Sequence, residues 1–208
     1  TGFLSYRSKV WQSTSRGGLP DCFLDEMDFE KYADFSLEFP LLFLLENKNY
    51  VNPNKKNFRN LIEDGKANSE NFQLHLSTIF TELRLKKYIE LRSIDACEWD
   101  CHCAGPAFFT GLLYGALDET FDIIKKWNKQ DVKQAYATSY KNGLNTILNG
   151  KDLLFWSKEL LKISKKGLNK RSFLNQNNNN ETVYLKNIEN ILLKKLTKAE
   201  QTLKQLKK

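Results

Sequence analysis

Hydrophobic and polar positions alternate loosely from residue 3 to residue 11, which predicts a strand. A Ser/Thr/Gly/Pro-rich loop follows at 12–20, where Gly17, Gly18 and Pro20 exclude regular structure. Phe29, Tyr32, Ala33 and Leu37 then recur at helical spacing, with Asp28 placed to cap the helix and Pro40 to stop it. Leu41 to Leu45 reads as a buried strand, 46–49 as a turn, and Tyr50 and Val51 as the returning strand. Short helices are predicted over 57–63 and 70–80. After them the period falls to two: Leu83 and Leu85 point one way, and Tyr88, Glu90 and Arg92 share one face with Ile89 and Leu91 on the other. That aliphatic pair is expected to bury the strand. Beyond Pro106 the periodicity is helical over 106–116, 119–127, 131–141, 152–166 closed by Gly167, 181–194, and from Thr197 onward. Thr197 and Glu200 have the spacing of a capping box. The pattern predicts an α+β chain, a piece of antiparallel sheet followed by a mostly helical C-terminal half. Trp11, Tyr88, Trp99 and Tyr114 are read as core and cleft packing.

Composition narrows the class. With 208 residues of which 41% are hydrophobic, the chain can bury a core, which excludes disorder as its main character. The longest fully apolar run, Leu41 to Leu45, falls far short of the ~20 residues of a membrane span, so a soluble protein with no membrane partner is expected. The net charge of +7 raises the possibility of a basic binding module. However, only six of the 32 cations are Arg, and the Lys residues cluster late in the chain beside the Asn tract at 177–180, which reads as a solvated surface rather than a nucleic-acid footprint. A phosphate-backbone binder would separate from this reading by its steep loss of affinity with salt.

Cys97, Cys101 and Cys103 surround His102, but the spacing does not form the two ligand pairs of a structural zinc site, so reduced thiols are expected. No signal or transit pattern opens the chain, and the Lys and Asn bias points to a bacterial cytoplasm. Gly2 to Ser5 reads as the middle of a domain. Residues 1–208 are therefore expected to be the C-terminal part of a single catalytic domain whose N-terminal part lies outside this sequence, or else a non-catalytic remnant.

A chain that uses Lys by default keeps Arg where a planar fork must meet carboxylate or phosphate. Glu90 and Arg92, two residues apart on one strand face, can form a structural ion pair, or can set a divalent cation beside a phosphate, since Mg2+ takes carboxylate oxygen and Arg takes phosphoryl oxygen bidentately. Both readings stand on the pair alone.

The surrounding residues resemble a known family. His75 to Phe80, Glu82, Arg84, Tyr88, Glu90, Arg92 and Asp95, then Trp99, Cys103, Ala104, Pro106 to Phe108 and Gly111 to Tyr114, are similar in order and spacing to the signature of the plant-type and proteobacterial glutamate-cysteine ligases. Upstream, Leu4 to Trp11, Arg16 to Pro20, Phe29, Glu30, Tyr32, Asp34, Phe58 and Arg59 are similar to that family's preceding segments. The likeness covers roughly residues 1 to 173.

The resemblance implies a glutamine-synthetase-like sheet and an ATP-dependent ligase that forms γ-glutamylcysteine, the first step of glutathione synthesis, with ATP as substrate and Mg2+ as cofactor. It implies Glu90 and Glu82 as metal ligands, Arg92 and Arg7 as catalytic, and Arg7, Arg16 and Arg84 as substrate-binding. Glu82 and Arg84 could equally orient the first pair or tie the preceding helix to the sheet. Small-molecule partners are implied, in a monomer or homodimer. The runner-up is a related carboxylate-amine ligase that accepts another amine. The disulfide-forming cysteines that plant members carry around the position of residues 50–68 are absent here.

Overall fold

The computed structural model describes residues 2–206. The chain divides into two compact units, one running from Val10 to Ser93 and the other made of the N-terminal residues through Lys9 together with the chain from Ile94 onward. Its class is α+β: short two-stranded sheets occupy both units, and the C-terminal half is mostly helical. Among the described residues no helix is long and apolar enough to cross a membrane.

The first element corrects the expected strand at 3–11. Tyr6–Gln12 is a helix, α1. Ser5 decides it: its hydroxyl accepts from the Ser8 amide at 3.1 Å, and its carbonyl accepts from the Lys9 amide, so a side chain supplies the acceptor that a helix start needs. A capping serine competes with loose alternation and wins over so short a segment.

In the Val10–Ser93 unit, β1 (Gly17–Gly18) runs parallel to β4 (Phe80–Thr81), a pairing that spans more than sixty residues and leaves no local signal. Helix α2 (Phe29–Glu38) starts at Asp28, whose carboxylate accepts from the Lys31 amide at 2.8 Å, and it ends just before Pro40, as its sequence predicts. Of the predicted face, Tyr32 is buried beside Ser36 and Leu37 is half-buried against the core, while Phe29 and Ala33 are exposed. The hairpin of β2 (Leu44–Glu46) and β3 (Asn49–Val51) turns through Asn47 and Lys48, both at positive φ, which matches the right-handed twist of the strands.

Helices α3 (Phe58–Glu63) and α4 (Ser69–Ser77) close this unit. Leu41, Leu44, Phe58 and Leu61 form its apolar core, lined by Leu37, Val51 and Phe72. Asn71, buried on α4, accepts from the Leu45 amide and donates to the Leu45 carbonyl, so its amide stands in for a neighbouring strand. The last hairpin pairs β5 (Leu83–Leu85) with β6 (Ile89–Leu91) in antiparallel register, Arg84 opposite Glu90.

In the second unit, α5 (Ala104–Thr110) runs into a π-helical turn at Gly111–Gly115, followed by α6 (Leu117–Ile124) and α7 (Lys129–Asn142). A small hairpin, β7 (Ile147–Leu148) with β8 (Lys151–Asp152), leads into α8 (Leu153–Arg171). Asp152 caps α8 by accepting from the Phe155 amide. The predicted stop at Gly167 is not a stop: α8 continues to Arg171, and Gly167 sits where the helix crosses the π-helical turn. A Cβ there would lie 2.8 Å from the Gly111 carbonyl carbon and closer still to its oxygen. Hydrogen there is a packing requirement, because two backbones touch.

Helices α9 (Lys186–Lys194) and α10 (Lys198–Leu206) finish the chain. Ala107, Leu161, Leu168, Leu185 and Leu192 form the core of this unit. The capping box predicted at Thr197 and Glu200 is present in both directions.

Three of the four aromatic residues assigned to core and cleft packing lie outside. Tyr88, Trp99 and Tyr114 are 61%, 87% and 76% exposed, while Trp11 packs on Phe80. Trp99 instead lies against the His102 ring and Tyr114 under the Arg171 guanidinium, contacts that aromatic faces make as well at a surface as in a core. The cysteines also depart from expectation. Cys97 and Cys101 are joined as a disulfide across a single 3-10 turn, while Cys22 and Cys103 are free. Two cysteines four residues apart reach bridging distance when that turn sets their Cα atoms 6.1 Å apart.

Candidate functional site

The β5–β6 hairpin carries the charged constellation, and its register explains it. Arg84 faces Glu90 directly, and beyond the strand ends the Arg92 amide donates to the Glu82 carbonyl at 2.8 Å, so Glu82 and Arg92 continue the ladder. Residues alternate faces along a strand, so Glu82, Arg84, Glu90 and Arg92 fall on one face in a checkerboard of opposite charges.

The side chains meet accordingly. Arg84 donates Nε and Nη2 to Glu90 Oε2 at 2.9 and 2.7 Å. Arg92 donates Nη1 to Glu90 Oε1 at 2.8 Å. The second amino group of Arg84 turns back to the chain, donating to the Ser77 and Ile79 carbonyls at the end of α4. Both guanidinium groups lie near the Phe80 ring, and Arg92 also near Trp11.

This polar face is the sheltered one. The side chains of Arg84, Glu90 and Arg92 are 9%, 27% and 19% exposed, whereas Ile89 on the opposite face is 59% exposed. The expectation that the aliphatic neighbours bury the strand is therefore reversed. A hydrogen-bonded ion cluster can be sheltered where an unpaired charge could not. Burial pushes the Glu90 carboxyl up, but the hydrogen bonds from Arg84 and Arg92 outweigh it and hold the group below its ordinary range. With Glu82 opposite Arg92, this face carries two guanidinium groups and two carboxylates.

The remaining candidates fall elsewhere. Arg16 is half-buried, with Nε and Nη2 donating to the Thr78 carbonyl at 3.1 and 2.9 Å, Nη2 also to the Thr78 hydroxyl, and Nη1 to the Pro40 carbonyl. Its guanidinium stacks on Phe39, so the Gly-rich loop that carries it is tied to two backbone segments. Arg7 lies on α1 and not on a strand neighbouring β6, which corrects the predicted sheet placement. It lines a cavity of about 910 Å3 within the second unit, together with Leu4, Asp95, Cys97, Ile188 and Lys198. Sequence reasoning missed this cavity, and its only local trace is the apolar spacing of Ile188 and Ile191 on α9.

The donor set can be tested against a divalent cation. A carboxylate offers about four lone-pair directions, and three of those on Glu90 already accept N–H groups. One direction on Oε1 remains, enough for a single ligand. Among the described residues no group of three or more His, Cys, Asp or Glu gathers to hold a metal ion. A single carboxylate direction suits Mg2+, which takes one or two protein carboxylates beside phosphate and water.

An α+β scaffold thus turns a guanidinium–carboxylate–guanidinium row to one face of a hairpin. Residues 1–206 match the Glutamate-cysteine ligase family 2 (GCS2), and the chain belongs to that family. It is similar to the chloroplastic glutamate–cysteine ligase of Solanum lycopersicum, 33% identical over 97% of this chain and 40% of that protein. It is likewise 32% identical to glutamate–cysteine ligase A of Oryza sativa subsp. indica, over 97% of this chain and 42% of that protein, and to the Arabidopsis thaliana enzyme, over 97% and 40%. The chain thus spans about two fifths of the length of these curated relatives. All three are named chloroplastic, which overturns the cytoplasmic location expected from the sequence.

Proposed function

We propose that this chain belongs to the catalytic domain of an ATP-dependent ligase joining the γ-carboxylate of L-glutamate to the amine of L-cysteine, the first step of glutathione synthesis, in a plastid. The observation that carries the reading is the Arg84–Glu90–Arg92 row on a sheltered hairpin face, in a chain whose relatives carry that ligase name. In the proposed reaction the glutamate side-chain carboxylate takes the γ-phosphoryl group of ATP. The cysteine amine then attacks the acyl carbon, forming the amide bond and expelling phosphate, with loss of a proton from nitrogen. Such chemistry rests on positioning and on neutralising phosphoryl charge.

Arg92 is proposed to meet the transferring phosphoryl oxygens, and Arg7 to hold a second anionic group of the substrates. Glu90 would hold Mg2+ through Oε1, with Glu82 a further carboxylate on the same face. A divalent cation held there would supply neutralisation of phosphoryl charge. Arg16, with its donors spent on Thr78 and Pro40, is read as a clasp for its loop.

The test is ADP release by the protein that carries this chain, measured with glutamate and a panel of amino acids. Cysteine standing out supports the proposal. ADP release with another amine in preference would move the assignment to a different carboxylate-amine ligase, and no release with any would end it.

A further inference from the structure

We propose that Arg84 is a positioning residue that holds Glu90 and, through Glu90, sets the guanidinium of Arg92. Its side chain is 9% exposed, too sheltered to clamp a substrate as the family resemblance implies. Four of its five N–H groups are engaged: Nε and Nη2 on Glu90 Oε2, and Nη1 on the carbonyls of Ser77 and Ile79. Those two carbonyls lie just where α4 ends, so the guanidinium joins the last turn of a helix to the carboxylate of a strand. The fork is planar and rigid, and its two edges point in fixed, different directions. Glu90 therefore cannot swing without breaking two hydrogen bonds. Its other oxygen meets Arg92 at 2.8 Å, so the order runs from the end of α4 through Arg84 and Glu90 to Arg92.

Lysine cannot replace this device, because one ammonium cannot reach two carbonyls and a carboxylate oxygen in the same plane. The functional consequence rests on the ligase reading above; the structural linkage does not.

The test uses this chain with 15N-labelled arginine, read at the Nη–H groups as well as the Nε–H groups of its six Arg residues. Exchange with water is compared with that of Arg59, whose side chain is 42% exposed. Glu90→Gln is expected to speed exchange at Arg92 Nη1 by ~10-fold or more, the scale of one charge-assisted hydrogen bond, while Arg84 Nη1 stays protected by the α4 carbonyls. Arg84→Lys is expected to speed Arg92 by a similar factor, and the double variant to add nothing further. Arg92 unchanged in Arg84→Lys with intact hairpin amides, or additive effects in the double variant, would overturn the proposal. Should Arg84→Lys fail to fold, Glu90→Gln decides alone: Arg92 Nη1 must loosen while Arg84 Nη1 does not.

In turnover, Arg84→Lys should lower kcat with each KM within about twofold, because an interaction that orients the transition state has been lost rather than a substrate contact. A selective rise in one KM would instead make Arg84 a substrate ligand and refute positioning. A wild-type protein that shows the exchange pattern but no ligase turnover would retire the ligase reading and leave the linkage standing.

Discussion

Glu90→Gln is the substitution that most sharply separates a sheltered ion cluster from a solvent-facing ligand. Glutamine keeps the size of glutamate, yet neither orientation of its amide fits. If its oxygen accepts from Arg84, its NH2 group faces the Nη1 donor of Arg92; if flipped, it faces the fork of Arg84. Two donors then oppose each other, and two guanidinium groups lose their shared counter-charge. All three side chains are less than a third exposed, so solvent replaces little of what is lost. Breaking a fully buried pair costs ~3–5 kcal/mol; with Glu90 27% exposed, about 3 kcal/mol is expected. On the scale of small domains, that is a fall of about 12–24 °C in the transition that reports the Val10–Ser93 unit. Circular dichroism melts at neutral pH measure it. A pair standing in a solvent-filled cleft would show almost no change. A melting temperature within about 2 °C of wild type would show that the carboxylate charge does not hold this hairpin.

Other substitutions test separate parts of the molecule. Gly167→Ala should destabilise by ~2 kcal/mol or more in denaturant titrations, because its new methyl meets the Gly111 backbone, which cannot rotate aside; a gain of ~1 kcal/mol, the usual helix-propensity effect, would refute that packing. His75, buried against Phe58 with Nε2 donating to the Ser36 carbonyl, has its pKa lowered first by burial, and its native form is therefore neutral. The unfolded chain takes up the proton first, so its contribution to stability is complete above the ordinary value of 6.5 and is lost as pH falls below it. Urea titrations from pH 7.5 to 5 should show that slope in wild type and a shallower one in His75→Gln. Arg92→Lys keeps a charge beside Glu90 but loses the fork, so turnover should fall ~10²-fold while the melting temperature moves less than in Glu90→Gln; equal losses in both would assign Arg92 to structure alone.

Caps, turns and the charged face were legible because each is written within a few residues. Asp28 lies three residues before the amide it accepts, Thr197 and Glu200 answer each other across one turn, and the period of two at Tyr88 to Arg92 puts Glu90 and Arg92 on one side whatever lies around them. The family likeness was legible for the same reason, as an ordered run of side chains with fixed spacing. None of these signals says which face of a strand is sheltered, or what a glycine is for.

Those choices were made by tertiary structure. Ile89 is exposed and Arg84 sheltered because the end of α4 presents two carbonyls to a guanidinium, an acceptor set contributed by residues outside the hairpin. Gly167 reads as a helix stop from its lack of a side chain, but that same lack is used to let α8 touch the π-helical turn some fifty residues earlier in the chain. Arg7 follows a serine whose hydroxyl starts a helix, so it stands on α1 beside a cavity lined from both ends of the chain. Local sequence determined which groups carry charge and where elements begin. Contacts between distant segments decided which of those groups are shielded from water, because shielding depends on what packs against a face and not on the face itself.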